Sequence, residues 1–282
     1  MPRFMGSRLF DEQDDEEMNM STEQRMSLSA VTKGPVRRPL KAVVYGPSGV
    51  GKSTFASQAP GCIFLCAEDG TGELDVARFP EPRSWVHVLS ACHELLGAKH
   101  EFKTLVIDSL DWLSPLVRKH VMEVEKMSEE KFDAYGRGEN FAVKHWRELI
   151  QLLDLLRADK GMHIVCLAHS ICKTFKNPEG DDFDRYQLAL SNQAAQLWEQ
   201  WSDTLLFFTW ETATRKTDSG KTKGLLGDRV ICTERSAAFD AKNRFGLPPT
   251  IPFERDSSWR SFTDAVKAAR ASRPVTNKEE AA

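Results

Sequence analysis

Gly46, Gly51, Lys52 and Ser53 stand in the stretch VVYGPSGVGKSTFA (43–56) at the spacing G-x-x-x-x-G-K-S/T. Glycines at these positions let consecutive backbone N–H groups point into one concavity at the start of a helix, where they can coordinate phosphate oxygens. The lysine would neutralise β and γ phosphates, and the hydroxyl after it would ligate Mg²⁺. The run Gly46, Pro47, Ser48, Gly49, Val50, Gly51, Lys52, Ser53 and Thr54 therefore reads as a cradle for a nucleoside triphosphate.

Three more residues could complete that chemistry. Such a metal also needs a carboxylate that holds it through water, normally at the end of a neighbouring apolar strand; Asp108 in TLVIDSL (104–110) has that position. A strand-ending Asp that only caps a turn is the plain alternative, and Asp111 is a weaker substitute for the metal role. Glu68, directly after CIFLCA (62–67), could orient and deprotonate an attacking water. As one acid in EDGTGELD it fits a solvated loop equally well. His169 closes HIVCLAH (163–169), where a polar residue can touch the γ phosphate and pass its loss to the following loop. A histidine that merely ends a strand fits the same position.

The elements around these residues follow from apolar patterning. LKAVVYG, CIFLCA, TLVIDSL and HIVCLAH are short continuous apolar runs of the kind buried on both faces in a parallel sheet. KSTFASQA after the glycine loop has helical composition, which supplies the strand, loop and helix that the phosphate motif requires. A long helix is expected where Ala142, Trp146, Leu149, Leu153 and Leu156 recur at spacings of four and three before Gly161. Strands alternating with helices make an α/β doubly wound sheet. After 200, TLLFFTW (204–210) and LLGDRVICTE (225–234) flank a polar stretch with the turn signal Asp218-Ser219-Gly220, so a hairpin is expected; SWRSFTDAVKAAR (258–270) reads as a closing helix. The expected organisation is an acidic disordered tail over 1–36, an ATPase domain over 37–255, and a C-terminal helix and tail over 256–282.

Composition sets limits. At 282 residues with 41% hydrophobic and 28% charged residues, the chain can build one α/β domain with decoration. Residues 1–30 carry seven acidic and three basic side chains, so of the net charge of -3 the remainder of the chain holds only +1. A nucleic-acid partner would have to use a local patch. The tail, with DEQDDEE at 11–17, reads as a solubilising extension or as an acidic arm for a basic partner. Six cysteines without a C-x-x-C pair read as reduced and structural. The N-terminus lacks the apolar core of a signal peptide and no window approaches a membrane span, so a reducing cytoplasm is the expected compartment.

The P-loop, AEDG after the second strand, VIDSLDWL, LAHS and a late AFDAKNRF together resemble the phage-encoded ATPases with a RecA-like core that serve as single-strand annealing proteins. The resemblance covers about residues 38–255. It implies a RecA-type core, hydrolysis of ATP with Mg²⁺, single-stranded DNA as partner, a homo-oligomeric ring or filament, and work beside a single-strand DNA-binding protein in an infected bacterial cell. In such ATPases the acid after the second strand activates water, which is Glu68 here, and the residue closing the fourth strand senses the nucleotide, which is His169. The stretch DAKNR matches where a neighbouring subunit inserts basic side chains toward ATP, with Lys242 and Arg244 as the candidates. Two such cations would stabilise the charge that spreads over the transferred phosphoryl group. Without the resemblance the pair reads as a surface charge cluster.

DNA would then cross loops after the third and fourth strands. SEEKFDAYGRGENF (128–141) offers Tyr135 for stacking and Arg137 for a phosphate; SICKTFKNPEGDDFDRYQ (170–187) offers Lys173, Lys176 and Arg185, although its net charge is -1. The hairpin stretch TRKTDSGKTK, at +3, is either an electrostatic contact or a solvated tip. The chain departs from strand-exchange recombinases in showing no further folded N-terminal domain, so annealing is expected rather than homology search in duplex DNA. A P-loop motor or helicase loader, and a switch in which ATP only orders loops, are the rival classes.

Overall fold

The computed structural model describes residues 28, 31, 33–68, 70–216 and 222–272, with backbone alone at 212–216 and 222–225. The acidic run at 11–17, the Asp218-Ser219-Gly220 turn and the last ten residues lie outside the described residues. The described residues from Arg38 to Ser272 belong to one compact unit.

The chain runs β1 (Lys41–Gly46), α1 (Lys52–Ser57), β2 (Cys62–Cys66), β3 (Ala77–Arg78), α2 (Trp85–Gly97), β4 (Thr104–Asp108), α3 (Leu110–Val124), α4 (Glu129–Asp133) and α5 (Arg137–Asp159). It continues with β5 (His163–Phe175), β6 (Phe183–Leu188), α6 (Asn192–Trp201), β7 (Thr204–Lys216), β8 (Thr222–Cys232), β9 (Lys242–Asn243), β10 (Thr250–Pro252) and α7 (Ser258–Ala271). The strands order as β10-β8-β7-β1-β5-β4-β2-β3, with β6 beside β5 and β9 beside β7. Neighbours from β7 through β3 run parallel, while β6, β8, β9 and β10 pair antiparallel. This is the expected α/β sheet, mostly parallel at its centre and extended by the expected hairpin.

The continuous apolar strands are explained by two cores, one on each face. Val43, Tyr45, Ile63, Leu65, Leu105, Ile107, Ile164 and Cys166 face the helices α2, α3, α5 and α6. Their alternates Ala42, Val44, Phe64, Cys66, Val106, Val165 and Leu167 pack with Phe55 of α1 and Trp259, Phe262 and Val266 of α7. Because successive strand residues point to opposite faces, a strand covered twice has no polar position to spare. The helices settle by the same logic. Ala142, Trp146, Leu149, Leu153 and Leu156 of α5 are all buried, and Ser84 caps α2 by accepting from the His87 backbone N–H.

Both stretches expected to be DNA loops are ordered instead. Residues 128–141 hold α4, a 3-10 turn at Ala134–Gly136 and the first turn of α5. Residues 170–187 form an antiparallel arm: β5 runs on past the sheet to Phe175 and β6 returns beside it, from Ser170 opposite Leu188 to Phe175 opposite Phe183. All six cysteines are free, four of them buried. Among the described residues no helix is long and apolar enough to cross a membrane.

Candidate nucleotide site

Strand register assembles the site. Gly46 at the end of β1 lies opposite His169 on β5, and Cys66 at the end of β2 lies opposite Asp108 at the end of β4. The glycine loop, Glu68, Asp108 and His169 therefore share the carboxyl edge of neighbouring parallel strands, where open α/β sheets bind ligands.

Two glycines of the loop admit no other residue. A Cβ on Gly46 would stand 2.2 Å from the Phe208 carbonyl oxygen, and Gly51, the N-cap of α1, has φ 107 with the Phe253 ring 2.6 Å from where its Cβ would be. Lys52 is buried, and its Nζ donates to the carbonyls of Gly46 at 3.0 Å and Pro47 at 3.1 Å. Burial holds its pKa below the ordinary lysine value, against the opposing pull of Asp108, Asp111 and Glu68.

Ser53 Oγ donates to Asp108 Oδ2 at 2.7 Å. Asp108 is almost fully buried, and that burial raises its pKa; the Ser53 hydrogen bond, Lys52 and His169 offset only part of the rise. A desolvated carboxylate bonded to a hydroxyl, with oxygen as the donor atom throughout, suits a hard divalent cation such as Mg²⁺. Among the described residues no group of three or more His, Cys, Asp or Glu is arranged to hold a metal by itself. The donor set thus fits a cation shared with phosphate oxygens.

Glu68 follows β2 at the same edge. Burial raises its pKa, with repulsion from Asp108 next and attraction to His169 and Lys52 opposing. Asp111, on the first turn of α3, is not the substitute metal carboxylate that its position in the sequence allows. Its Oδ1 accepts the His169 backbone N–H at 2.8 Å and its Oδ2 lies 2.8 Å from His169 Nδ1, so both oxygens are engaged by one residue. The i+3 spacing from Asp108 on a helix start carried a signal for a charged group at this edge; its partner became visible only when β5 was placed beside β4.

The remaining candidates lie elsewhere. Lys242 begins β9 and Arg244 follows it directly; β9 pairs with the amino end of β7, with Lys242 opposite Leu205, and Thr204 lies opposite Ala42 of β1. The loop begins at the other end of β1, roughly 13 Å of strand away. Lys242 Nζ donates to the Gln200 carbonyl at 3.5 Å, and Arg244 reaches Asp203 Oδ1 at 3.4 Å. Burial lowers the Lys242 pKa, and the adjacent Arg244 adds to the effect. Tyr135 is fully exposed at φ 52, and Arg137 begins α5. On the arm, Lys176 Nζ donates to Asp182 and Lys173 Nζ to Asn192 Oδ1 at 3.4 Å. Arg185 departs from the surface role expected of it. Its side chain is 3% exposed, bonded to Asp240 Oδ1 at 2.6 Å and to the carbonyls of Ser236 and Phe239 at 3.2 Å. Desolvation makes such a paired guanidinium costly to withdraw, so it ties the arm to the 236–240 segment.

A family model described as an AAA domain matches residues 38–245. No curated protein matches. Among solved structures the chain is similar to the RadB recombinase, with a TM-score of 0.45 and 12% sequence identity over 78% of this chain and 90% of that one. The family match spans well over half of the sequence and takes in every strand that carries a residue of the phosphate edge, so this chain belongs to the AAA domain family.

Proposed function

We propose that the protein hydrolyses ATP and uses the cycle to bind single-stranded DNA and anneal complementary strands, as a homo-oligomeric ring or filament in phage recombination. The observation that carries the ATPase reading is the Ser53–Asp108 bond of 2.7 Å beside buried Lys52, with Glu68 and His169 on the same strand edge.

Loop amides and Lys52 would take the β and γ phosphates, with Lys52 exchanging its present carbonyl acceptors for phosphate oxygens. Mg²⁺, held by Ser53 and through water by Asp108, would supply charge neutralisation between the phosphates when bound. Glu68 would orient the attacking water and take its proton; a carboxylate whose pKa burial has raised is a better base near neutral pH. His169 would contact the terminal phosphate. Lys242 and Arg244, at the opposite end of the sheet from their own loop, could serve only the loop of another copy, which ties turnover to assembly.

DNA would meet the exposed ring of Tyr135, Arg137 and the arm cations Lys173 and Lys176. A single-strand DNA-binding protein in the host cytoplasm would present the strands. The deciding experiment measures ATPase rate with single-stranded DNA, duplex DNA and no DNA. Strong stimulation by single strands supports annealing; a rate indifferent to all three removes the DNA reading while leaving the ATPase intact.

A further inference from the structure

Asp111 meets His169 with both of its carboxylate oxygens. It accepts the backbone N–H of His169 with one oxygen and faces His169 Nδ1 with the other, each at 2.8 Å. A carboxylate only accepts, so Nδ1 carries the proton and Nε2 is the ring nitrogen left for a further partner. Among the described residues no other hydrogen bond reaches that ring. The anchor is stiff, because Asp111 sits on the first turn of α3, three residues after the β4 end that holds Asp108. His169 sits in register with Gly46, the first residue of the phosphate loop.

We propose that Asp111 is the positioning residue for His169, fixing the ring with Nδ1–H toward itself so that Nε2 meets the terminal phosphate of the bound nucleotide. This rests on the ATPase reading above. The two hydrogen bonds hold both the backbone and the side chain of His169, so the ring has neither a free χ2 flip nor a free tautomer. The charged groups around it are Asp111 from α3, Lys52 from α1, Glu68 after β2 and Asp108 from β4. Asp111 is the one in hydrogen-bond contact with the ring, and it favours the protonated form, which burial and Lys52 oppose. In the doubly protonated form that Asp111 favours, a ring held this way gives Nδ1–H to Asp111 and donates from Nε2 to a phosphate oxygen, whereas the neutral ring held by Asp111 would turn the Nε2 lone pair to the phosphate.

The test uses the full chain with ¹⁵N-labelled histidine, the His169 signals being assigned through His169→Gln. Long-range ¹H–¹⁵N spectra at alkaline pH should show His169 protonated at Nδ1 in the wild type and at Nε2 in Asp111→Asn. A non-hydrolysable ATP analogue should move the Nε2 signal and ADP should not. In turnover, Asp111→Asn should lower kcat about 10²-fold, the usual effect of a misplaced group, with nucleotide affinity unchanged. In the His169→Gln background it should cost nothing further. An unchanged tautomer in Asp111→Asn, no response of Nε2 to the analogue, or an equal loss in both backgrounds would each overturn the proposal. If Asp111→Asn does not fold, the wild-type spectra with the two nucleotides decide it. A wild type that binds the analogue but hydrolyses no ATP would sink the ATPase reading, while the Nε2 response would still judge the contact.

Discussion

At the scale of single residues, the site sorts its carboxylates by what each touches. Asp108 is desolvated and bonded to Ser53, Asp111 is bonded to His169, and among the described residues Glu68 has no such partner, which leaves it available to water. Lys52→Ala should abolish nucleotide binding, read by fluorescence of a labelled ATP analogue. Glu68→Gln should keep binding and slow hydrolysis by about 10² to 10⁴-fold, as loss of a general base does; a normal rate would remove its assignment. The Asp111–His169 pair also gives stability a pH dependence. His169 is raised above its ordinary value by Asp111, so its contribution is complete below about pH 6.5 and fades as pH rises through the folded value. Burial pushes Asp111 upward, yet the His169 hydrogen bonds leave it below its ordinary value, so its part is lost only in acid, as pH falls through that lowered value. The melting temperature of the nucleotide-free protein should therefore fall as pH rises above the ordinary histidine value of about 6.5, and the fall should be smaller in His169→Gln.

At the scale of elements, three helices hold the back of the sheet through tryptophans packed edge to face. Trp85 of α2 meets Trp146 of α5 edge to face at 5.1 Å, and Trp146 meets Trp198 of α6 at 5.6 Å. Trp146→Ala should cost about 3–5 kcal/mol in denaturant unfolding, because both neighbours would line the void. Elements of this buried kind were legible in the sequence. The four apolar runs became β1, β2, β4 and β5, and the spacing in α5 reported its buried face. α3 left a readable trace in Leu110, Leu113, Val117 and Val121, all buried at helical spacing, although Pro115 and the polar residues between them obscured it. The arm was illegible for a physical reason. From Ser170 to Phe175 none of its residues is buried, so no alternation of apolar and polar positions distinguishes the strand from a loop. Arg185 reads as a surface cation for another reason: the acceptors that bury it, at 236–240, are remote in sequence.

At the scale of the whole molecule, the phosphate edge and the Lys242–Arg244 pair occupy opposite ends of one sheet. If a second copy completes the site, Lys242→Ala with Arg244→Ala should bind ATP and hydrolyse none. Mixing it with Lys52→Ala subunits should restore part of the rate, and the absence of rescue would count against a shared site. Within a single copy, β5 spans the distance from the nucleotide edge to the tip of the arm without a joint. From His163 to Asn177 the chain contains neither glycine nor proline, and the residue facing the phosphate loop is followed directly by the first rung of the arm. A strand so built offers a direct path from His169 to Lys173, and through the end of β5 at Phe175 to Lys176. Softening that path with Ser170→Gly should leave the DNA-free turnover rate in place while weakening its response to an oligonucleotide, so that the two ends of one strand no longer move as one.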